Sequence, residues 1–447
     1  MNKKFATTPA RLGICLSLAG LMAGAQPRPG GAQPRPATPV PRLTLAQALR
    51  LARRHSPQLL AAATAMGVAK QAQYQAHVAF LPTVGVTSQY LYTQGDGRSY
   101  PRFIANNAVH EYVTEGDVHE DLFTGGRRRS LYGQAQARTA LARAEQQLAR
   151  RGLRVTVTQM FYGLAAADRQ YRAARQADRA AQKFLAITRA LQKGGQVAQS
   201  DVLQAELQYE RSHVAARNTK LAARQARMNL AVLLFVNWRQ PFTLSLHFRH
   251  APVLPPLSLA RARALARNPV LDAARANLRG AQAAVGIASS GYWPTLSLDY
   301  YYGIDANHFA TRTNGLPNLG SSALASLTIP LWNWGTTHSQ VQAAQLQRHQ
   351  ARFDLRYTQA QLHMLLASDY AAARAAWHDL HGLRHARTQA RQGLRLILLR
   401  YRAGNSTALE VVTAQQNLMQ ARTQLAQAEA SYRVAFAQLE TLTGVLP

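Results

Sequence analysis

One cysteine, Cys15, occurs in the 447-residue chain, and it lies near the N-terminus. Beyond it there is no thiol, so neither disulfides nor thiolate metal sites hold this protein together. Long apolar runs are missing too. Past the N-terminus the longest is Leu230 to Val236, seven residues, whereas a membrane-spanning helix needs about 20. Proline is absent between Pro101 and Pro241, and again between Pro330 and Pro447. A proline inside a helix costs about 3 kcal/mol, so these two intervals are free to form very long helices. Acidic residues are scarce: 21 Asp and Glu face 52 Lys and Arg, for a formal charge of +31. Such a charge first suggests a nucleic-acid partner. The basic residues are spread along helical faces, however, and the N-terminus reads as an export signal, so no nucleic acid is expected. No phosphate loop, nucleophile elbow or paired-acid motif is found; neither an enzyme nor a cofactor is implied.

The N-terminus has the layout of a secretory signal over residues 1–25. Lys3, Lys4 and Arg11 precede an apolar stretch from Leu12 to Met22, and Ala23-Gly24-Ala25 offers a small-residue cleavage site. Ile14 stands before Cys15 where lipidation sites want Gly or Ala, so acylation is not expected. Residues 26–42 contain AQPRP twice and read as a flexible or polyproline-like arm. An exported chain without a membrane-spanning helix is a soluble periplasmic protein, a secreted protein or an outer-membrane β-barrel.

The remainder is written twice, as a first repeat over 43–250 and a second over 251–447. LTLAQALRLARRHSPQL (43–59) is answered by LSLARARALARNPVL (257–271). Pro57 to Pro82 and Pro269 to Pro294 are both 25 residues; Gly126 to Gly195 and Gly335 to Gly404 are both 69. Two independent intervals that match without a gap mark an internal duplication. Each copy reads helix, strand, loop, strand, long helix, turn, helix. Strands are placed at about 82–93 and 109–122, then 294–304 and 321–332. Long helices are placed at about 127–191 and 336–401, with shorter ones at about 198–235 and 407–443.

Heptads support the helices. Val411, Leu418, Leu425, Tyr432 and Leu439 are seven apart, as are Ala414, Ala421, Ala428, Ala435 and Leu442. The first copy has a smaller seam, Val202, Tyr209, Ala216, Ala223 and Leu230 with Ala205, Ser212, Thr219, Ala226 and Leu233.

The strands alternate. Leu296, Leu298, Tyr300, Tyr302 and Ile304 share one parity, as do Val84, Val86, Tyr90 and Tyr92. Alternation ending in tyrosines suits a membrane barrel with an aromatic belt, or a half-buried sheet in a soluble domain. Tyr90, Tyr92, Tyr300, Tyr302, Trp332 and Trp334 are the candidate membrane-interface anchors. The return strand of the first copy, HEYVTEGDVHEDLF, carries five acids and does not read as alternating. Four strands cannot close a barrel, since small barrels need about eight, and an open edge in lipid leaves costly unpaired backbone. The chain must therefore oligomerise. His378, His381 and His385 share a helical face and form a weak candidate metal site; no metal is expected.

The doubled plan, the proline-led strand starts, the LFTGG (122–126) and LWNWG (331–335) strand exits and the glycine-centred turns together resemble the TolC-like outer-membrane efflux proteins over residues 43–446. The resemblance implies a mainly α fold with membrane β: a homotrimer of twelve strands in a barrel and twelve helices in a periplasmic tunnel. It also implies a passive conduit that expels small toxic compounds, drugs or metals. Its partners would be outer-membrane lipid, a periplasmic adaptor (membrane fusion) protein and an inner-membrane RND or ABC pump. By the same resemblance the gate lies at the turns after the long helices. Asp201 and Glu410, each six after a tip glycine, with Tyr401 and Thr413, would line the periplasmic gate. Gly194, Gly195 and Gly404 would form the tips that meet the adaptor. Ser406 and Thr413 replace the arginine and acid that some members carry there. A tunnel lined by part of the arginine excess should favour anions.

Overall fold

The computed structural model describes residues 42–92, 110–234, 237, 239–246, 252–306, 309–313 and 315–444. The predicted signal, Cys15 and all of the arm but Arg42 lie outside them. The first repeat opens with β1 (Arg42–Leu43), α1 (Leu45–His55) and α2 (Pro57–Val78). Next come β2 (Thr83–Tyr92), β3 (His110–Phe123), α3 (Arg127–Lys193), α4 (Gln199–Leu234) and β4 (Thr243–Leu244). In the second, α5 (Leu257–Arg267), α6 (Pro269–Ser289) and β5 (Thr295–Ala306) are followed by a small hairpin, β6 (Arg312–Thr313) and β7 (Leu316–Pro317). Then β8 (Leu319–Thr328), α7 (Thr336–Arg402) and α8 (Ala408–Thr443) complete it.

The helix break in each copy has a local cause. Ser56 accepts from the Leu59 N–H and Asn268 from the Val270 N–H, and the next residue in each is proline at the first helical position. The long helices are equal: α3 and α7 both have 67 residues, and α4 and α8 both have 36. At a rise of about 1.5 Å per residue, 67 residues reach roughly 100 Å. Far from the strands, each long helix packs on its partner through the heptad seams; Val411, Leu418, Leu425, Tyr432 and Leu439 are all buried. The two repeats are joined along α3 and α8. Arg151 donates to the Thr441 and Arg267 carbonyl oxygens at 2.7 and 2.9 Å, and Arg154 to Glu440 Oε2 at 2.7 Å. Burial pushes the Glu440 carboxyl up, while Arg154 draws it down.

The four main strands form one antiparallel sheet in the order β2-β3-β5-β8. The order places the two copies side by side and leaves β2 and β8 as open edges. In the second copy, the return strand is shifted from its sequence placement. It starts at Leu319 and stops at Thr328, short of Trp332. Pro330 has no N–H for the ladder and ends the pairing. Each strand-to-helix corner needs two consecutive residues at positive φ. The first copy uses Gly125 (58°) and Gly126 (83°); the second uses Trp334 (53°) and Gly335 (80°). A Cβ on Gly125 would sit 2.6 Å from the Trp293 Cβ, so that corner admits only glycine.

Candidate functional site at the helical tips and the two-faced sheet

The tips are two versions of one turn. After α3, the Gln196 N–H donates to the Leu191 carbonyl at 2.9 Å, around Gly195 at φ 71°. After α7, the Asn405 N–H donates to the Arg400 carbonyl at 2.9 Å, around Gly404 at φ 78°. Both are glycine-centred helix ends that satisfy the last carbonyls. Gly194, by contrast, sits at φ −84° and caps α3 through Ala190 and Gln192 without needing a glycine conformation. The following helices begin four residues after each tip glycine, with Asp201 and Glu410 in their first turns. Thr407 Oγ1 accepts from the Glu410 N–H at 3.3 Å, and the Ser406 hydroxyl is bonded to the Glu410 carboxylate. Ser406 is therefore a local partner of Glu410. Thr413 is exposed and bonds only back to the Leu409 carbonyl, at 2.9 Å.

Tyr401 is placed differently from these exposed groups. It is buried among Phe184, Leu185, Val202, Ala408, Val411 and Val412, which come from α3, α4 and α8, so with Tyr401 on α7 all four long helices meet here. Its ring lies 5.2 Å from Phe184 and its hydroxyl 3.2 Å from Thr188 Oγ1. Burial pushes the phenol up; the Thr188 hydrogen bond opposes this, and the charge of Asp201 adds to it. Tyr401 thus joins the two hairpins just behind the tips; among the described residues its hydrogen bond goes to Thr188 and not to Glu410 or Thr413.

The histidines do not converge on a metal. His381 has its ring 4.7 Å from Trp377, with Nδ1 3.2 Å from the Trp377 carbonyl, and His378 stacks edge-on against the same indole. Among the described residues no group of three His, Cys, Asp or Glu is placed to hold an ion. The shared helical face was real, but one face of one helix offers too few converging ligands.

The sheet register resolves the strand that sequence could not read. On β3, Tyr112, Thr114, Gly116 and Val118 pair with Tyr90, Ser88, Val86 and Val84 on one side and with Ala306, Ile304, Tyr302 and Tyr300 on the other. Directly paired residues share a face. One face is therefore aromatic and aliphatic and open to the surroundings; Val84 and Val86 are 78% and 79% exposed. Tyr90, Tyr92, Tyr300 and Tyr302 stand on it, exposed. Trp332 and Trp334, exposed and 5.7 Å apart, lie past the strand end.

The opposite face carries Glu111, Glu115, Asp117 and Asp121 from β3 with Asp299 and Asp305 from β5. His119 joins them, Nδ1 at 2.5 Å from Asp299 Oδ1. Gly85 lies opposite Asp117 and Gly303 opposite Glu115. A Cβ on Gly303 would come within 2.2 Å of the Thr114 carbonyl oxygen, so glycine makes room for the acid. The return strand does alternate. Glu120, the one acid on the apolar side, is paired with Arg128 at 3.2 Å near the corner, and an irregularity between Asp121 and Phe123 shifts the register there.

These features together, a doubled strand-pair and 67-residue helix with glycine tips, match a known family over both repeats: residues 48–234 and 260–445 match the outer membrane efflux protein family. The chain belongs to this family. A pyoverdine export outer membrane protein of Pseudomonas putida is 28% identical over 87% of this chain and 84% of its own length. The outer membrane protein TolC of Escherichia coli is 25% identical over 90% of this chain and 82% of its own. In fold, the Campylobacter jejuni CmeC outer membrane channel aligns with a TM-score of 0.79 at 16% identity, covering 90% of this chain and 85% of that one. The Vibrio cholerae outer membrane protein VceC aligns at 0.77 and 19%, covering 90% and 96%. Outer membrane efflux proteins are channels rather than enzymes, and this member is an outer-membrane protein with a long periplasmic helical extension.

Proposed function

We propose that the chain is one subunit of a homotrimeric export channel that passively conducts small toxic compounds out of the cell. The observation that carries this reading is the sheet with two open edges, β2 and β8, one apolar exposed face and one acidic face. In lipid, such edges must be paired. Joining β8 of one copy to β2 of the next closes the sheet, apolar face to lipid and acidic face to the passage. Three copies make twelve strands, wide enough for solutes. The tyrosines then sit in an interfacial belt, with Trp332 and Trp334 at its edge.

The helices continue the passage into the periplasm. Asp201 and Glu410 line its far end in this reading, with Tyr401 behind them holding the hairpins together and Thr413 on the exposed side. Gly195 and Gly404, with Gly194, form the surface that meets a periplasmic adaptor, and an inner-membrane RND or ABC pump supplies the energy. The relative named for pyoverdine export and the solved outer membrane channels support this role. Heat-sensitive trimers in outer-membrane fractions and drug hypersensitivity on deletion are the expected results. A soluble periplasmic monomer would overturn it.

A further inference from the structure

A cleft of about 340 Å³ opens between α3, α7 and α8, lined by Arg169, Arg172, Gln176, Arg387, Arg422 and Glu429 over an alanine and leucine floor. Helical spacing explains the convergence. Arg169 and Arg172 are three apart on α3, Arg387 and Arg391 four apart on α7, and Arg422 and Glu429 seven apart on α8, so each pair shares a face. Arg391 is not in the lining but is close enough to act electrostatically on Arg422.

Four guanidinium groups line the cleft with one carboxylate, and a fifth, Arg391, stands close by. Glu429 is ion-paired with Arg169, and Arg422 donates to Gln176 Oε1 at 2.8 Å. Arg172, Arg387 and Arg391 have no ion pair among the described residues. Burial pulls Arg169 and Arg422 below the usual arginine range. Their neighbours pull the same way: Arg172 and Arg387 on the first, Arg391 and Arg387 on the second. Like charges gathered in a half-buried space repel one another unless a negative group enters. Guanidinium forks from several directions match the oxygens of a phosphate-type anion.

We propose that this cleft binds a small polyvalent oxyanion of the phosphate class, one per chain, held chiefly by Arg172, Arg387 and Arg422. Arg169 lies 42 residues along α3 from its start beside the strands, roughly 60 Å at about 1.5 Å per residue. A free anion therefore reaches it and a headgroup of the membrane around the sheet does not. The site is independent of the conduit reading; a channel can conduct without it.

The test titrates the purified channel in detergent with inorganic pyrophosphate, at an ionic strength held constant with chloride. Saturable binding at one per chain with a rise in Tm is expected. R172Q/R387Q should weaken that binding at least about tenfold, since it removes two charge-assisted partners. Its Tm without pyrophosphate should be unchanged or higher, because two repelling charges are gone. Should that variant not assemble, Arg391→Gln at the rim is expected to weaken binding severalfold without loss of trimers. Wild-type binding no stronger than that of chloride, as when an acid of a second copy already fills the cleft, overturns the proposal. So does unchanged affinity in whichever variant assembles.

Discussion

The sheet and the long helices of this chain carry opposite charge. The four main strands contain no Lys or Arg at all, yet β3 and β5 hold five and two acids, seven of the chain's 21. Helix α3 alone has 15 Lys and Arg against three acids, Glu145, Asp168 and Asp178. A net charge of +31 therefore describes neither region. An expectation of anion preference drawn from the arginine excess concerns the helical part only; along the sheet a solute on the acidic face meets the reverse field. The difference also separates two ways of tolerating charge. On the helices, charges are spread over several faces, and half-buried ones such as Arg154 and Glu440 are ion-paired. In the sheet they are confined to one face, with glycines opposite to seat them.

The sharpest way to break this contrast is to move charge across it. Val86→Arg puts a cation on the apolar sheet face and should cost about 2–4 kcal/mol if that face meets the bilayer core, read as loss of trimers from outer-membrane fractions. The same change at an exposed helical position, Leu221→Arg, should stay within about 0.5 kcal/mol. Equal effects at the two positions would remove the lipid-facing assignment. Gly303→Ala pushes a methyl into the Thr114 carbonyl and Glu115; overpacking of this kind costs about 1–3 kcal/mol, and a lowered unfolding temperature of the trimer would report it.

Tyr401→Phe removes the bond to Thr188, whose hydroxyl keeps its bond to the Phe184 carbonyl, so the cost should be about 0.5–1.5 kcal/mol, measurable by denaturant titration. The smallest effect on stability should come from Glu115→Gln with Asp117→Asn, which keeps the shapes and deletes two charges. Its signature is electrical: in a salt gradient the single-channel reversal potential should move toward anions. An unmoved potential would mean that the acidic face does not border the passage.

Much of this architecture was readable in advance because two physical signals are local. Proline cannot enter a helix interior, and equal glycine intervals fix equal helix lengths; the two 67-residue helices follow. Strand parity in β2 and β5 was equally plain. The first return strand was opaque because Glu120 and the irregularity at Asp121/Phe123 break the parity at its end. Its ordered part shows only in the pairing register. The end of β8 was misplaced because apolar alternation continues past Pro330 although the hydrogen bonds do not.

At the tips, the glycines and first-turn acids were visible in the sequence. The burial of Tyr401 between hairpins was not, because it needs the register of four helices. The arginine cleft was hidden for the same reason. Its members are scattered over more than 250 residues, and nothing in their spacing tells that three helices turn them toward one another.

The corner at Trp334 has a consequence for symmetry. Within the chain, the first corner closes so tightly on the second repeat, at Trp293 and the Ser290 carbonyl, that only Gly125 fits. Its counterpart, Trp334, holds the same left-handed backbone but carries an indole, 88% exposed. In the proposed ring of three copies, β8 of one chain would meet β2 of the next, and that indole would stand at the junction. A junction that must house a tryptophan cannot reproduce one that excludes a single methyl. The six repeats would look like a six-fold wheel from a distance, but alternate joints are cut to different gauges. The duplication has ceased to be interchangeable at its corners, so a chain assembled from two first repeats would meet glycine where its neighbour presents a gap.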